Sequence, residues 1–97
     1  MNTFERITNA RELLELNERA TMKEIKTNFR RLIKAWHPDK NPDDAYNRLE
    51  MTRRITDAYH TLLSYCANYQ FAFTRDEISR YLPEDEWWHE RFGHMMK

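Results

Sequence analysis

Valine is absent from this chain and glycine occurs once, at Gly93. Helix formers (Leu, Arg, Glu, Lys, Ala) and aromatics take their place, which favours helix over sheet, and an all-α fold is expected. A single cysteine, Cys66, excludes an internal disulfide framework and any zinc site built from cysteines. His60, His89 and His94 lack the mutual spacing of a metal site, so neither metal nor cofactor is expected. No apolar run approaches the roughly 20 residues of a membrane span, and the N-terminus lacks the apolar core of a signal peptide. No membrane partner and a cytoplasmic location are therefore expected. An excess of one charge sign is also missing. Lys plus Arg and Asp plus Glu both number 16, a formal net charge of zero, which argues against a surface that tracks nucleic acid. Local charge has to carry any recognition, and 97 residues leave room for one small domain.

What is present falls into four pieces. Residues 9–16 open with Asn9 and carry Glu12 three positions later, the pattern of a capping box, followed by leucines, and predict a short first helix. Thr21-Met22-Lys23-Glu24 repeats the box, and Ile25, Phe29, Leu32 and Trp36 follow at helical spacing, predicting a second helix over about 22–36. Its other faces carry Lys23, Lys26, Arg30, Arg31 and Lys34 against a single Glu24. A third helix is predicted after Asp43 or Asp44, either of which can cap it, through Leu49, Ile55, Ala58, Tyr59, Leu62 and Cys66. Two such helices joined by a short loop pack most simply as an antiparallel hairpin, with the first helix laid across them.

Between the second and third helices lies Trp36-His37-Pro38-Asp39-Lys40-Asn41-Pro42. A proline disfavours the α conformation in the residue before it, so Pro38 should end the second helix near Trp36 and His37, and Pro42 keeps the backbone extended. The result is a stiff loop at a helix C-terminus that presents His37 and Asp39 to another molecule. Arg31 is a candidate to pair with Asp39 across the helix end.

With Glu12-Leu13-Leu14-Glu15-Leu16, Ala20, Glu24-Ile25, Arg30-Arg31-Leu32, the His37-Pro38-Asp39 loop and Asp57-Ala58-Tyr59-His60-Thr61-Leu62, residues 9 to about 65 resemble the J domain of DnaJ-type (heat-shock forty) co-chaperones. The resemblance implies a domain over 1–66 that binds a DnaK-type heat-shock chaperone and stimulates its ATP hydrolysis, so that catalysis belongs to the partner. Carried over by position, Lys26, Phe29, Arg30, Arg31 and Lys34 form the docking face, His37, Pro38 and Asp39 the signalling loop, and Lys40 joins the chaperone-binding set. Three positions depart from the family pattern. Phe29 stands where tyrosine is usual, Glu15 replaces a common glycine after the first helix, and Thr52 occupies a place usually taken by phenylalanine. The family's glycine- and phenylalanine-rich segment and zinc-binding repeats are absent.

Residues 67–97 fall outside that domain and, with Tyr65, are rich in aromatics: Tyr65, Tyr69, Phe71, Phe73, Tyr81, Trp87, Trp88 and Phe92. Such density is unlike a disordered tail. Thr74-Arg75-Asp76-Glu77 is a third capping box, predicting a helix to about Tyr81, and Pro83-Glu84-Asp85-Glu86 starts a last helix ending at Gly93. Gln70-Phe71-Ala72-Phe73 reads as an extended connector. These short helices are expected to pack on the hairpin within one compact unit. Trp87 and Trp88 point about 100° apart on a helix, so one should remain accessible as a surface for an unidentified protein partner.

A basic helix face alone is most often solvated, and a lone helix-terminal histidine is most often held there by the helix dipole. The intact tripeptide beside the basic helix favours the co-chaperone reading. An adaptor whose aromatic tail binds a particular partner and recruits chaperone to it is the alternative. Nucleic-acid binding through the basic helix ranks below both. An enzyme ranks lower still, because His37 and Asp39 do not converge from separate elements around a pocket, and nothing supplies a nucleophile or phosphate loop.

Overall fold

The computed structural model describes residues 1–83, 85, 86 and 89. Among the described residues the helices with defined bounds are, in order, α1 (Thr3–Leu13), α2 (Met22–Trp36), α3 (Ala45–Ala67) and α4 (Arg75–Ser79). Two 3₁₀ turns, Pro38–Lys40 and Pro42–Asp44, lie between α2 and α3. No strand occurs among the described residues, and the fold is all-α.

The first helix starts at Thr3, upstream of the expected Asn9. Asn-x-x-Glu occurs twice in succession, and the earlier copy is the one used: the Asn2 side chain accepts from the Glu5 backbone N–H at 2.8 Å. Starting there adds about two turns and places Ile7 on the same face as Ala10 and Leu14, and all three belong to the core or pack against it. Asn9 is interior to the helix and caps nothing.

Helix α1 ends before Leu16, through two bonds that turn the chain back: Glu15 N–H to the Glu12 carbonyl and Leu16 N–H to the Arg11 carbonyl, both 3.0 Å. This closure needs a left-handed residue, and Glu15 supplies it with φ 57°. A non-glycine residue there costs about 1–2 kcal/mol. Glycine would relieve that strain but would make the unfolded chain looser by about 0.4–1 kcal/mol. It would also forfeit the exposed pair between Glu15 and Arg31, a contact of about 0.2–1 kcal/mol. Because these terms nearly cancel, Glu15→Gly is expected to change unfolding free energy by no more than about 1 kcal/mol, as read by urea denaturation.

Helix α2 begins as expected at the Thr21 box, with Glu24 N–H donating to Thr21 Oγ1 at 3.1 Å and Thr21 N–H donating to Glu24 Oε1 at 3.2 Å. It stops at Trp36, where His37 leaves the helical region with ψ 133° ahead of Pro38. Asp44 holds the N-cap position of α3, but its side chain makes no cap bond and instead accepts from the Asn47 amide at 2.8 Å. The preceding 3₁₀ turn already leads the chain into the helix.

The register between α2 and α3 is antiparallel: Phe29 meets Tyr59 and Trp36 meets Thr52, so a later residue of one helix faces an earlier residue of the other. Helix α1 also packs on α3. Between the three helices lie Ala10, Leu14, Leu16, Ile25, Leu32, Ile55, Ala58 and Leu62, with Leu14 at 0% and Ile55 at 1% exposure. Cys66 packs against this core as a partly buried side chain, as expected of a small apolar residue.

Beyond the hairpin, Thr74 Oγ1 accepts from Glu77 N–H at 3.3 Å and starts α4, which ends at Ser79, short of the expected Tyr81. Residues 70–73 have no regular structure, as the connector reading requires. The aromatics here pack ring on ring, Tyr65 against Tyr69 at 6.0 Å and Tyr69 against Phe71 at 5.8 Å. Tyr69, Phe71, Phe73, Ile78 and Tyr81 are exposed. These described aromatic and aliphatic side chains are thus exposed, whereas Ser79 of α4 is buried. Of the expected last helix, Asp85, Glu86 and His89 are helical. Trp87 and Trp88 lie outside the described residues.

Candidate functional site

The site is built where α2 is forced to end. In a continuing helix the carbonyls of Lys34, Ala35 and Trp36 would bond the N–H groups of residues 38, 39 and 40. Pro38 has none, Asp39 N–H donates to His37 Nδ1 at 3.2 Å, and Lys40 N–H donates to the His37 carbonyl at 3.0 Å. The N–H groups of Asp39 and Lys40 are therefore satisfied within the loop. His37 acts as its cap: its Nδ1 accepts from the Asp39 backbone N–H and lies 3.7 Å from Asp39 Oδ2. The Asp39 side chain is 92% exposed and the tripeptide holds it outward.

Two side chains from α3 reach carbonyls that the loop leaves open. Arg48 Nη1 donates to the Ala35 carbonyl at 3.0 Å, and Thr52 Oγ1 reaches the Trp36 carbonyl at 3.4 Å while bonding the Arg48 carbonyl at 2.9 Å. The Arg48 guanidinium also lies 5.6 Å from the Trp36 ring centroid, within cation–π range. Its Nε is buried without a hydrogen bond, 4.0 Å from Asp44 Oδ2. Sequence reasoning overlooked Arg48. The only available signal was a lone cation in the first turn of α3, where the helix dipole gives it no benefit. Arg48→Ala is expected to lower stability by about 1–2 kcal/mol, since a hydrogen bond from a charged donor and a ring contact are both lost. Urea denaturation measures the loss, and amide chemical-shift changes should concentrate at residues 35–41.

The cations of α2 divide between two faces. Lys23, Lys26, Arg30 and Lys34 recur every three or four residues along one exposed row, with no ion pair to another described residue. Arg31 is rotated about 100° from Arg30. Its Nη2 donates to Glu15 Oε1 at 2.6 Å, so the expected pairing with Asp39 does not form. Asn28, one turn earlier on the same side, donates to the Leu14 and Glu15 carbonyls at 2.9 and 3.3 Å and ties the α1–α2 turn to this side of α2. Phe29, grouped with the cations in the sequence, is partly buried, with its ring stacked on Tyr59 at 3.9 Å and 7° between planes. The ring pair joins α2 to α3 at this level of the hairpin. Lys40 is exposed beside Asp39 and lines an open hollow with Lys34, His37 and Asp39.

The described residues contain no group of three or more His, Cys, Asp or Glu placed to hold a metal ion. None of their helices is long and apolar enough to cross a membrane.

A short helix across an antiparallel pair, with an exposed His-Pro-Asp turn at the hairpin's tip, defines a class of small helical interaction domains. The DnaJ domain family model matches residues 9–67, and the chain belongs to this family. It is 33% identical over 72 residues to chaperone protein DnaJ 1 of Aquifex aeolicus, covering 72% of this chain and 19% of that protein. It is 45% identical over 51 residues to chaperone protein DnaJ of Agrobacterium fabrum, covering 53% of this chain and 13% of that protein. With the DnaJ-like protein MG002 homolog of Mycoplasma pneumoniae it shares 37% identity over 87 residues, 84% of this chain and 26% of that protein. The chain thus spans no more than about a quarter of the length of these relatives. No solved structure matches.

Proposed function

We propose that this protein is a J-domain co-chaperone that binds a DnaK-type heat-shock chaperone and stimulates its ATP hydrolysis through His37-Pro38-Asp39. The observation that carries the reading is the Asp39 carboxylate, fully presented on a self-capped turn beside the cationic row of α2. Membership of the DnaJ domain family supports a co-chaperone role in general. In this reading Lys26, Arg30 and Lys34 steer an acidic surface of the chaperone into place and Asp39 accepts a charge-assisted, two-pronged hydrogen bond from an arginine of that partner. Arg31 and Lys40 flank the contact, and Phe29 supports it from the helix interface. The protein itself performs no catalysis, and its place is the cytoplasm with the chaperone.

The test is steady-state ATP turnover by a DnaK-type chaperone with and without this protein. A saturable rise in turnover is expected, and unchanged turnover across a range of concentrations overturns the reading.

A second reading adds to the first: the aromatic extension recruits a particular protein to the chaperone. It is favoured by the exposed rings of Tyr69, Phe71, Phe73 and Tyr81, with Phe73 at 83% exposure. Trp87 and Trp88 are further candidates from the sequence for that contact.

A further inference from the structure

We infer that Glu15 is an affinity-determining residue, an internal competitor that withholds Arg31 from the acidic partner and leaves the row Lys23, Lys26, Arg30 and Lys34 as the working docking surface. The inference rests on the docking role proposed for α2.

Three observations converge on it. The Glu15 carboxylate meets the Arg31 guanidinium at 2.6 Å, with 57% and 54% of the two side chains exposed. The pair is therefore open to an incoming carboxylate and is not part of the core. Second, the turn does not use the Glu15 side chain: its closure runs through backbone N–H groups, and its carbonyls are held by Asn28 and Arg11. Third, Glu15 occupies a left-handed position that suits glycine and is tolerated by asparagine, so a glutamate there is locally unfavourable and its charge is what distinguishes it.

An acidic partner approaching α2 meets two obstacles at Arg31. It must displace a bonded carboxylate, and it is repelled by that carboxylate if Glu15 stays. The four cations of the row carry neither obstacle. They span roughly 16 Å along the helix, so the surface selects a partner whose acidic groups are spread along a line and favours it over one that concentrates charge near the α1–α2 turn. Surface pairs of this kind shift an equilibrium by about two- to fivefold. That range is suited to tuning a transient contact.

The experiment measures the concentration of this protein that half-saturates stimulation of a DnaK-type chaperone ATPase. It compares the parent, Glu15→Gly, Glu15→Asn, and Arg31→Ala in the parent and Glu15→Gly backgrounds. Both Glu15 variants should lower the half-saturating concentration about two- to fivefold at low ionic strength, with the gain shrinking as salt rises. Arg31→Ala should cost more in the Glu15→Gly background than in the parent, because only there is the guanidinium fully available. The inference is overturned if neither Glu15 variant gains, if glycine gains and asparagine does not, or if the gain survives removal of Arg31. Those outcomes presuppose stimulation by the parent. A parent that does not stimulate overturns the co-chaperone reading, and this inference with it.

Discussion

Asp39→Asn is expected to lower stimulation of a DnaK-type ATPase at least about thirtyfold, the effect of removing one partner of a closely bonded charge pair worth 2 kcal/mol or more. The substitution keeps the shape of the side chain and removes its charge. Little in the fold depends on that charge, because the bond that closes the loop joins the Asp39 backbone amide to His37 Nδ1. The nearest cationic candidate within the turn, His37, is 3.7 Å away and largely exposed, so the pair adds little to stability. The unfolding free energy should therefore change by less than about 0.5 kcal/mol. Turnover assays at matched concentrations and urea denaturation of both proteins check the two halves of the expectation. Retained stimulation by a folded variant would remove Asp39 from the signalling role.

Reversing Lys26 and Arg30 together to Glu is expected to slow association with the chaperone about 10- to 100-fold at low ionic strength and to flatten or invert its dependence on salt. These residues lie one helical turn apart on the exposed row and make no ion pair with another described residue. Their field therefore acts on the partner without being spent inside the molecule. The reversal changes the local charge by four units while leaving Ile25, Phe29 and Leu32 on the buried side of α2 untouched. Stopped-flow association across a salt series is the measurement. Rates that match the parent at every ionic strength would exclude electrostatic docking through this row. Arg31 is a poorer choice for that test because its reversal would set two carboxylates against each other at the α1–α2 turn.

The sequence by itself determined the helical class, the second helix from its Thr21 cap to Trp36, the long third helix and the exposed tripeptide between them. Each is a local matter. A capping box satisfies N–H groups within three residues, an apolar stripe repeats along one helix, and Pro38 stops a helix whatever surrounds it. The choice between two equivalent Asn-x-x-Glu starts was not local, because only packing of Ile7 against the core favours the earlier one. Tertiary structure alone decided which exposed cation of α2 is paired within the molecule. Arg30 and Arg31 are neighbours in the chain, yet the α1–α2 turn brings Glu15, sixteen residues away, to Arg31 and leaves Arg30 in the row. It also turned Phe29 inward onto Tyr59 and assigned Arg48 and Thr52 to the open end of α2, contacts between residues far apart in sequence. Helical spacing specifies the face on which a side chain lies, but its partner depends on which other segment the fold lays against that face, and no pattern within a single helix encodes that.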